Sequence, residues 1–440
     1  MGNNHNPFIF GRAVQGNEFF HRENELYSVF NRLRTGQSVA IIGEPHVGKT
    51  SFLLKLFDKE TQSKYLDDDD KKLILTYLDL HPINPDYTTI QFWEEILSPL
   101  EKVNLERVKY LFKQVSQNGY RRKDLELLFS ELAARNRMLV LLLDEFERLF
   151  SHPNFKDPSF FALLRSLSST NRGLAIVIAS RLPLAKLNRL GREILDSGSP
   201  FFNTMIDIKL LPFSDDEINS LLSTAKPTFT DEENLYIQHI AGRNPYLLQA
   251  MASSMYDSKD SNMNNKEIAT EKFYNQINSY FDDLWEHLED QTKTVAILLC
   301  LKDLDGRLLG SGFNYAEIEK NDYFDIELRR LKECGISEMV GESKKGWIID
   351  WKYLLVWRGQ KWALGCTAFG LWVRDIIIAR TRSIPSHDSW LKNKRYVGIL
   401  TTSQWEFLME SFRKVPQSFL VGVGKFVIST VNDIFSNSGG

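Results

Sequence analysis

The chain has 440 residues, room for two to four domains at roughly 100 to 200 residues each, and its 43% hydrophobic and 12% aromatic content is ample for packed cores. With 54 Lys+Arg against 57 Asp+Glu the formal net charge is −3, which excludes a uniformly basic nucleic-acid coat and an acidic solvating tail. The three cysteines, Cys300, Cys334 and Cys366, share no metal-ligand spacing and suggest no disulfide framework, which fits a reducing, cytoplasmic setting.

In chain order, the first residues carry no basic stretch followed by an apolar run, so no secretory signal is expected. Asn6 stands where a myristoylation motif wants Ser or Thr, so Gly2 is not read as a lipid site. No run of about 18 uncharged apolar residues occurs, and a conventional membrane span is not expected. Short apolar runs then alternate with helical patterns, the pattern of a mainly parallel sheet covered by helices. Strands are predicted near Ser38–Ile42, Leu73–Leu80, Met138–Leu143, Leu174–Ala179 and Ile206–Leu211, with Asp67–Asp70 as a solvated turn. After Pro212 the strands stop. Residues 214 to about 290 read as helices broken by a polar loop at Asp257–Lys266. From Trp285 the pattern is three helices and a hairpin, with Ile336–Val340 and Trp347–Asp350 joined by a turn at Gly341–Gly346, which is a winged-helix outline.

Gly43-Glu44-Pro45-His46-Val47-Gly48-Lys49-Thr50 matches the phosphate-binding pattern G-x-x-x-x-G-K-[ST], directly after an apolar strand and before the amphipathic run that starts at Ser51. Glycines let backbone N–H groups curl around phosphates, and the helix that follows presents its positive end to the anion. Lys49 is expected on the β and γ phosphates of ATP, and Thr50 on Mg2+. The run Met138-Leu139-Val140-Leu141-Leu142-Leu143-Asp144-Glu145 is an apolar strand ending in two carboxylates, as in a Walker B strand. Asp144 would hold Mg2+ through water, and Glu145 would orient or deprotonate the attacking water. The bland alternative is that both only cap the next helix. The next strand ends in Ser180-Arg181, a hydroxyl and a guanidinium at the same sheet edge, and a γ-phosphate sensor pair is the functional reading of it. A plain surface arginine before Leu182-Pro183 is the other.

Taken together, Asn6-Pro7-Phe8 through Phe20-His21-Arg22-Glu23-Asn24-Glu25-Leu26, the phosphate loop, Leu143-Asp144-Glu145-Phe146-Glu147, Ala179-Ser180-Arg181, Leu211-Pro212-Phe213-Ser214 and Ala241-Gly242-Arg243-Asn244-Pro245-Tyr246 occur in the order of the signal-transducing STAND ATPases. Over roughly residues 6 to 355 the chain resembles their bacterial AAA-like branch, close to the archaeal ATPases. The resemblance implies an α/β P-loop NTPase domain over residues 1–212, a helical lid over 213–284, a winged-helix domain over 285–355 and a mainly helical C-terminal region over 356–440. It also implies that Phe20 to Glu23, Arg22 among them, and Gly242 to Pro245 bracket the adenine, with Pro245 packing on the base. His21 stands where many relatives have glycine. No counterpart of the winged-helix histidine that closes the site in many relatives is evident. Arg165 is either a finger for a neighbouring subunit's γ-phosphate or an ordinary helix residue.

Two functions follow from this outline. One is a regulatory switch whose nucleotide state controls homo-oligomer assembly or exposure of a surface to a protein effector. The other is a DNA-bound AAA+ ATPase of the initiator or transposition type that reads through the winged helix. Between Glu286 and Asp350 fourteen Asp/Glu face nine Lys/Arg, a net of −5, where a DNA reader concentrates positive charge, so the switch is favoured. The helix predicted at Asp325–Gly335 mixes Arg329, Arg330 and Lys332 with Asp325, Glu327 and Glu333. The tail from Lys352 to Gly440 reverses the balance, with twelve Lys/Arg against five Asp/Glu, and interleaves Trp357, Trp362, Trp372, Trp390 and Trp405. Within it Phe419, Val423, Phe426, Val427, Val431 and Ile434 share a helical face, whose partner is the protein's own core, another subunit or an anionic membrane.

Overall fold

The computed structural model describes residues 5–66, 72–195, 201–226, 228–258, 265–289, 292–293, 295–296, 299–300, 325–340, 355–357 and 360–373. The Asp67–Asp70 run, the Trp347–Asp350 strand and the amphipathic segment at 419–434 lie outside these residues. The chain divides into two compact units, Arg12–Leu210 and a second made of Met1–Gly11 with Leu211–Gly440.

In the first unit, α1 (Glu23–Arg34) leads to β1 (Val39–Ile42), α2 (Lys49–Phe57), α3 (Lys59–Leu66) and β2 (Leu73–Asp79). Helices α4 (Thr89–Leu97), α5 (Glu106–Gln117) and α6 (Arg122–Ala134) precede β3 (Met138–Asp144). The short α7 (Arg148–Ser151) and α8 (Pro158–Thr170) come next, then β4 (Leu174–Ser180), α9 (Leu184–Leu195) and β5 (Ile206–Lys209). Each of the five strands predicted between Ser38 and Leu211 is present to within two residues at either end. The five strands form one parallel sheet in the order β2-β3-β4-β1-β5.

The sequence of each strand accounts for its place. β3 and β4 are buried along their whole length, as central parallel strands covered on both faces must be, and both are unbroken apolar runs up to the final residue. Alternation sorts their side chains. Leu139, Leu141, Leu143, Ile176 and Ile178 enter the core under α4, α5, α6 and α8, whereas Val140, Leu142, Ala175, Val177 and Ala179 enter the core under α1 and α2. β5 lies at the sheet edge, where its two isoleucines are half-buried and its Asp207 and Lys209 exposed. The fold is mixed α/β, a five-stranded parallel sheet with helices on both faces.

The second unit is helical up to residue 287: α10 (Asp215–Leu222), α11 (Asp231–Ala241), α12 (Pro245–Asp257) and α13 (Asn265–His287). Helix α14 (Asp325–Glu333) and β6 (Ser337–Val340) follow where the winged-helix outline placed a helix and a strand. β6 pairs antiparallel with β8 (Gln360–Leu364), which pairs in turn with β7 (Leu355–Trp357). This three-stranded sheet therefore takes strands from both sides of residue 355, and residues 367–373 continue it as helix. Met1–Gly11 belongs to this unit by its contacts, since Asn6 Nδ2 donates to Ser253 Oγ at 2.8 Å and to Asp257 Oδ1 at 2.7 Å, and Phe8 stacks on Phe229. Cys300, Cys334 and Cys366 are buried free thiols, and burial pushes the Cys366 thiol up to about 12. No helix among the described residues is long and apolar enough to cross a membrane.

Candidate active site

The strand order brings the chemistry to one edge. Because β4 lies between β3 and β1, the C-terminal ends of β3, β4 and β1 are adjacent, at a point where the strand order reverses and ligands of open α/β sheets bind. Register fixes the alignment: Ile42 pairs with Ser180, and Asp144 pairs with Asp79.

The loop from Gly43 to Gly48 joins β1 to α2. Gly43 donates its N–H to the Ser180 carbonyl at 3.2 Å, so the loop starts fastened to β4. A Cβ there would lie 2.7 Å from Val47 Cγ1 and 3.1 Å from the Leu210 carbonyl oxygen, so only glycine fits without movement. Gly48 is required for another reason: it has open space but a φ of +100°, and it caps the N-terminus of α2. His46 takes a φ of 59° at the exposed tip, with Pro45 half-buried beside it, while Glu44 and Val47 are buried beneath. Lys49 is buried, and its Nζ donates to the carbonyls of Gly43 at 3.1 Å and Glu44 at 3.0 Å, which holds the ammonium under the loop. Ser51 Oγ accepts the Val14 N–H at 3.0 Å, and Phe19 packs on Phe52, so the segment that leads to Phe20 and Arg22 lies along α2. Arg22 is itself buried, has a φ of 77° before α1, and pairs with Glu25 at 3.3 Å.

The carboxylates stand opposite. Asp144 is almost fully buried; it accepts hydrogen bonds from Tyr77 Oη at 3.2 Å and from the Glu145 N–H at 3.0 Å, and the Thr50 hydroxyl lies near enough to favour its charged form. Burial pushes its carboxyl up and nearby Asp79 adds to this, against the pull of the Thr50 hydroxyl and Lys49. Glu145 has a φ of 51°, a left-handed conformation uncommon outside glycine. Its carboxyl is also pushed up, by burial first and then by Glu147, with Lys49 and Arg181 pulling the other way. The turn is anchored by Phe146, which is fully buried, donates its N–H to the Ala179 carbonyl at 3.0 Å and packs edge-on against Phe150 and Phe202.

Lys49, Thr50, Asp144, Glu145 and Arg181 are thus brought together. Ser180 is fully buried, and its Oγ accepts the Leu182 N–H at 3.0 Å, so this hydroxyl shapes the turn that carries Arg181. Arg165 sits half-buried in the middle of α8. Pro245 is the first residue of α12 in the other unit, after Asn244, whose Oδ1 caps the helix and whose Nδ2 donates to Tyr280 Oη at 2.9 Å. Tyr77, Asp79 and Glu147 do not stand out in the sequence as site residues. Asp79 ends an apolar strand just as Asp144 does, which is a legible signal; Glu147 enters only as part of the Leu143–Glu147 motif, with no role of its own, and Tyr77 carries no signal.

Mg2+ suits this donor set. Among the described residues no cluster of three or more His, Cys, Asp or Glu side chains could enclose a metal. Mg2+ asks for less, being held through one or two protein oxygens with waters and phosphates, and Thr50 and Asp144 offer such a pair.

An AAA-like domain family matches residues 109–303, a stretch that starts beyond the phosphate loop and contains Asp144, Glu145 and Arg181. The chain matches no curated protein. It is similar to the Walker-type ATPase of Pyrococcus abyssi at 15% identity and a TM-score of 0.48, over 84% of this chain and 99% of that one. It is also similar to the ORC2 protein of Aeropyrum pernix, solved with ADPNP and ADP, at 14% identity and a TM-score of 0.45, over 87% of this chain and 99% of that one. By its parallel sheet, its strand order and its phosphate loop, with an AAA-like domain matched across its centre, the protein is a P-loop ATPase in fold.

Proposed function

We propose that the protein binds and hydrolyses Mg-ATP and that its nucleotide state works as a regulatory switch of the STAND kind. The observation that carries the first part is that the Thr50 hydroxyl lies close enough to Asp144 to favour its charged form, beside a buried Lys49 and the left-handed Glu145. Lys49 and Thr50 open the helix after the phosphate loop and Asp144 and Glu145 follow the end of β3, far apart in the chain. In this reading the loop N–H groups and Lys49 hold the β and γ phosphates, and Thr50 with Asp144 holds Mg2+, which when bound neutralises charge on the phosphate oxygens. Glu145 orients a water and takes its proton as the water oxygen bonds to the γ-phosphorus. The bond from that phosphorus to the bridging oxygen breaks, leaving ADP and phosphate. The raised Glu145 carboxyl makes it a better base than an exposed glutamate. Arg181 reads the γ-phosphate from the end of β4.

Lys49→Ala is expected to lose ATP binding, whereas Glu145→Gln keeps shape and hydrogen bonding and should bind ATP normally while hydrolysing it about 100- to 10,000-fold more slowly. Titration calorimetry and a phosphate-release assay check this. Equal loss of affinity in both variants would count against the assignment, and wild-type turnover in Glu145→Gln would remove Glu145 as the base.

The switch reading is supported by the net −5 of residues 286–350, which disfavours a DNA reader. Fluorescence anisotropy with random duplex at about 150 mM salt should give binding no tighter than micromolar. Tight binding lost in Arg329→Ala would favour the DNA-bound alternative.

A further inference from the structure

Glu147 is an acidic residue at the same sheet edge that the hydrolysis scheme leaves unused. Its side chain is 6% exposed. Oε1 accepts the Arg181 main-chain N–H at 3.1 Å and lies 3.6 Å from Arg181 Nε, so one oxygen meets both the backbone and the side chain of the same arginine. Oε2 is buried with no hydrogen-bond partner among the described residues. A carboxylate withdrawn from water in this way is disfavoured unless a cation is held against it.

The surroundings show what the contact stabilises. The turn after β3 is tied to the end of β4 at two points, Phe146 N–H to the Ala179 carbonyl and Glu147 Oε1 to the Arg181 N–H. β4 is tied in turn to the phosphate loop through Ser180 and Gly43. Glu147 therefore belongs to a continuous set of bonds from the Glu145 turn to the loop. Of these three ties, the one from Glu147 ends on a charge. The Arg181 side chain keeps about a third of its surface exposed at 35%, enough to meet a phosphate while its base is held.

We propose that Glu147 is a positioning residue: by gripping both the backbone and the guanidinium stem of Arg181, it fixes the arginine's fork where a γ-phosphate is read, and so sets the discrimination between ATP and ADP. This rests on the Mg-ATP reading above. A merely structural Glu147 would tie two turns together through its N–H acceptor alone, which a glutamine also supplies.

The test compares Glu147→Gln, Glu147→Asp, Arg181→Ala and the double variant Glu147→Gln/Arg181→Ala for ATP and ADP affinity by calorimetry, with the melting temperature of each. Glu147→Gln is expected to weaken ATP relative to ADP on the order of tenfold while its melting temperature stays near wild type. Glu147→Asp, which keeps the charge, should recover part of the ratio. The double variant should discriminate no worse than Arg181→Ala alone, because the two side chains act as one unit. Unchanged ATP-to-ADP ratio in Glu147→Gln, or losses that add in the double variant, overturns the proposal. Glu145→Gln measured alongside separates the two readings: its turnover reports on hydrolysis, whereas the affinity ratio of the Glu147 variants reports on positioning alone.

Discussion

At Gly43 the constraint is space and at Gly48 it is backbone conformation, so identical substitutions should respond differently to a second change. Gly43→Ala pushes a methyl to 2.7 Å from Val47 Cγ1, and an overpacked contact of this kind costs about 1–3 kcal/mol. Gly48→Ala meets nothing within 4 Å but must hold a φ of +100°, a strain of about 1–3 kcal/mol that no neighbour can relieve. Trimming Val47 to alanine should therefore restore part of the stability and ATP affinity of Gly43→Ala and none of those of Gly48→Ala, measured by urea unfolding and calorimetry. Rescue of both, or of neither, would show that crowding against Val47 is not what makes Gly43 necessary.

Helix starts explain how the second unit holds its short elements. Ser214 and Thr230 each accept the N–H of the residue three positions on, and Glu217 and Glu233 each reach back to the capping residue's own N–H. α10 spans only Asp215–Leu222, too short to form without such closure and the burial of Ile218, Leu221 and Leu222. Ser214→Ala should lower stability by about 1 kcal/mol, and Ser214→Asp, which keeps an acceptor, should not. The shift in urea midpoint checks both. The same element is held at its start by Arg243, which pairs with Asp215, donates to the Phe213 carbonyl at 3.3 Å and lies 3.7 Å from Glu338 on β6. One side chain on the α11–α12 turn thus touches the first helix and the small sheet of its unit.

For the molecule as a whole, the proposed switch predicts an assembly that depends on the γ-phosphate. The Glu145→Gln protein should show a larger mass by light scattering with ATP than with ADP, since on this proposal it retains ATP and Arg181 distinguishes the two. Arg165→Ala in that background should return the mass to the ADP value if it serves a neighbouring subunit's nucleotide. The same mass in both nucleotides would remove the finger and undercut the switch. Within the second unit the glycine of the α11–α12 turn makes a close junction: a Cβ on Gly242 would lie 2.8 Å from the Gly365 carbonyl and 2.9 Å from the Gly335 carbonyl, at a φ of +68°. The α11–α12 turn and the small sheet are packed backbone to backbone there.

Local pattern alone determined the five strands, the phosphate loop and the Asp144–Glu145 strand end, because each is written in consecutive residues: an apolar run of strand length, glycines at fixed offsets, a charge where burial ends. What depended on which strands lie side by side was decided only by tertiary structure. Tyr77 and Asp79 join the site because β2 pairs with β3 in a register that sets Asp79 against Asp144, and nothing near residue 77 in the chain encodes that pairing. That the Ser180 hydroxyl accepts the Leu182 N–H was likewise set by the turn's geometry and not by its place beside Arg181 in the chain. β6 pairs with Gln360–Leu364, a partner about twenty residues on that no local pattern near Ser337 encodes, because antiparallel pairing rests on cross-strand packing. Glu147, two residues beyond Glu145, was invisible as a partner of Arg181 for the same reason: a side chain's direction after a left-handed residue is set by the fold around it, here by Phe146 locked into its aromatic core.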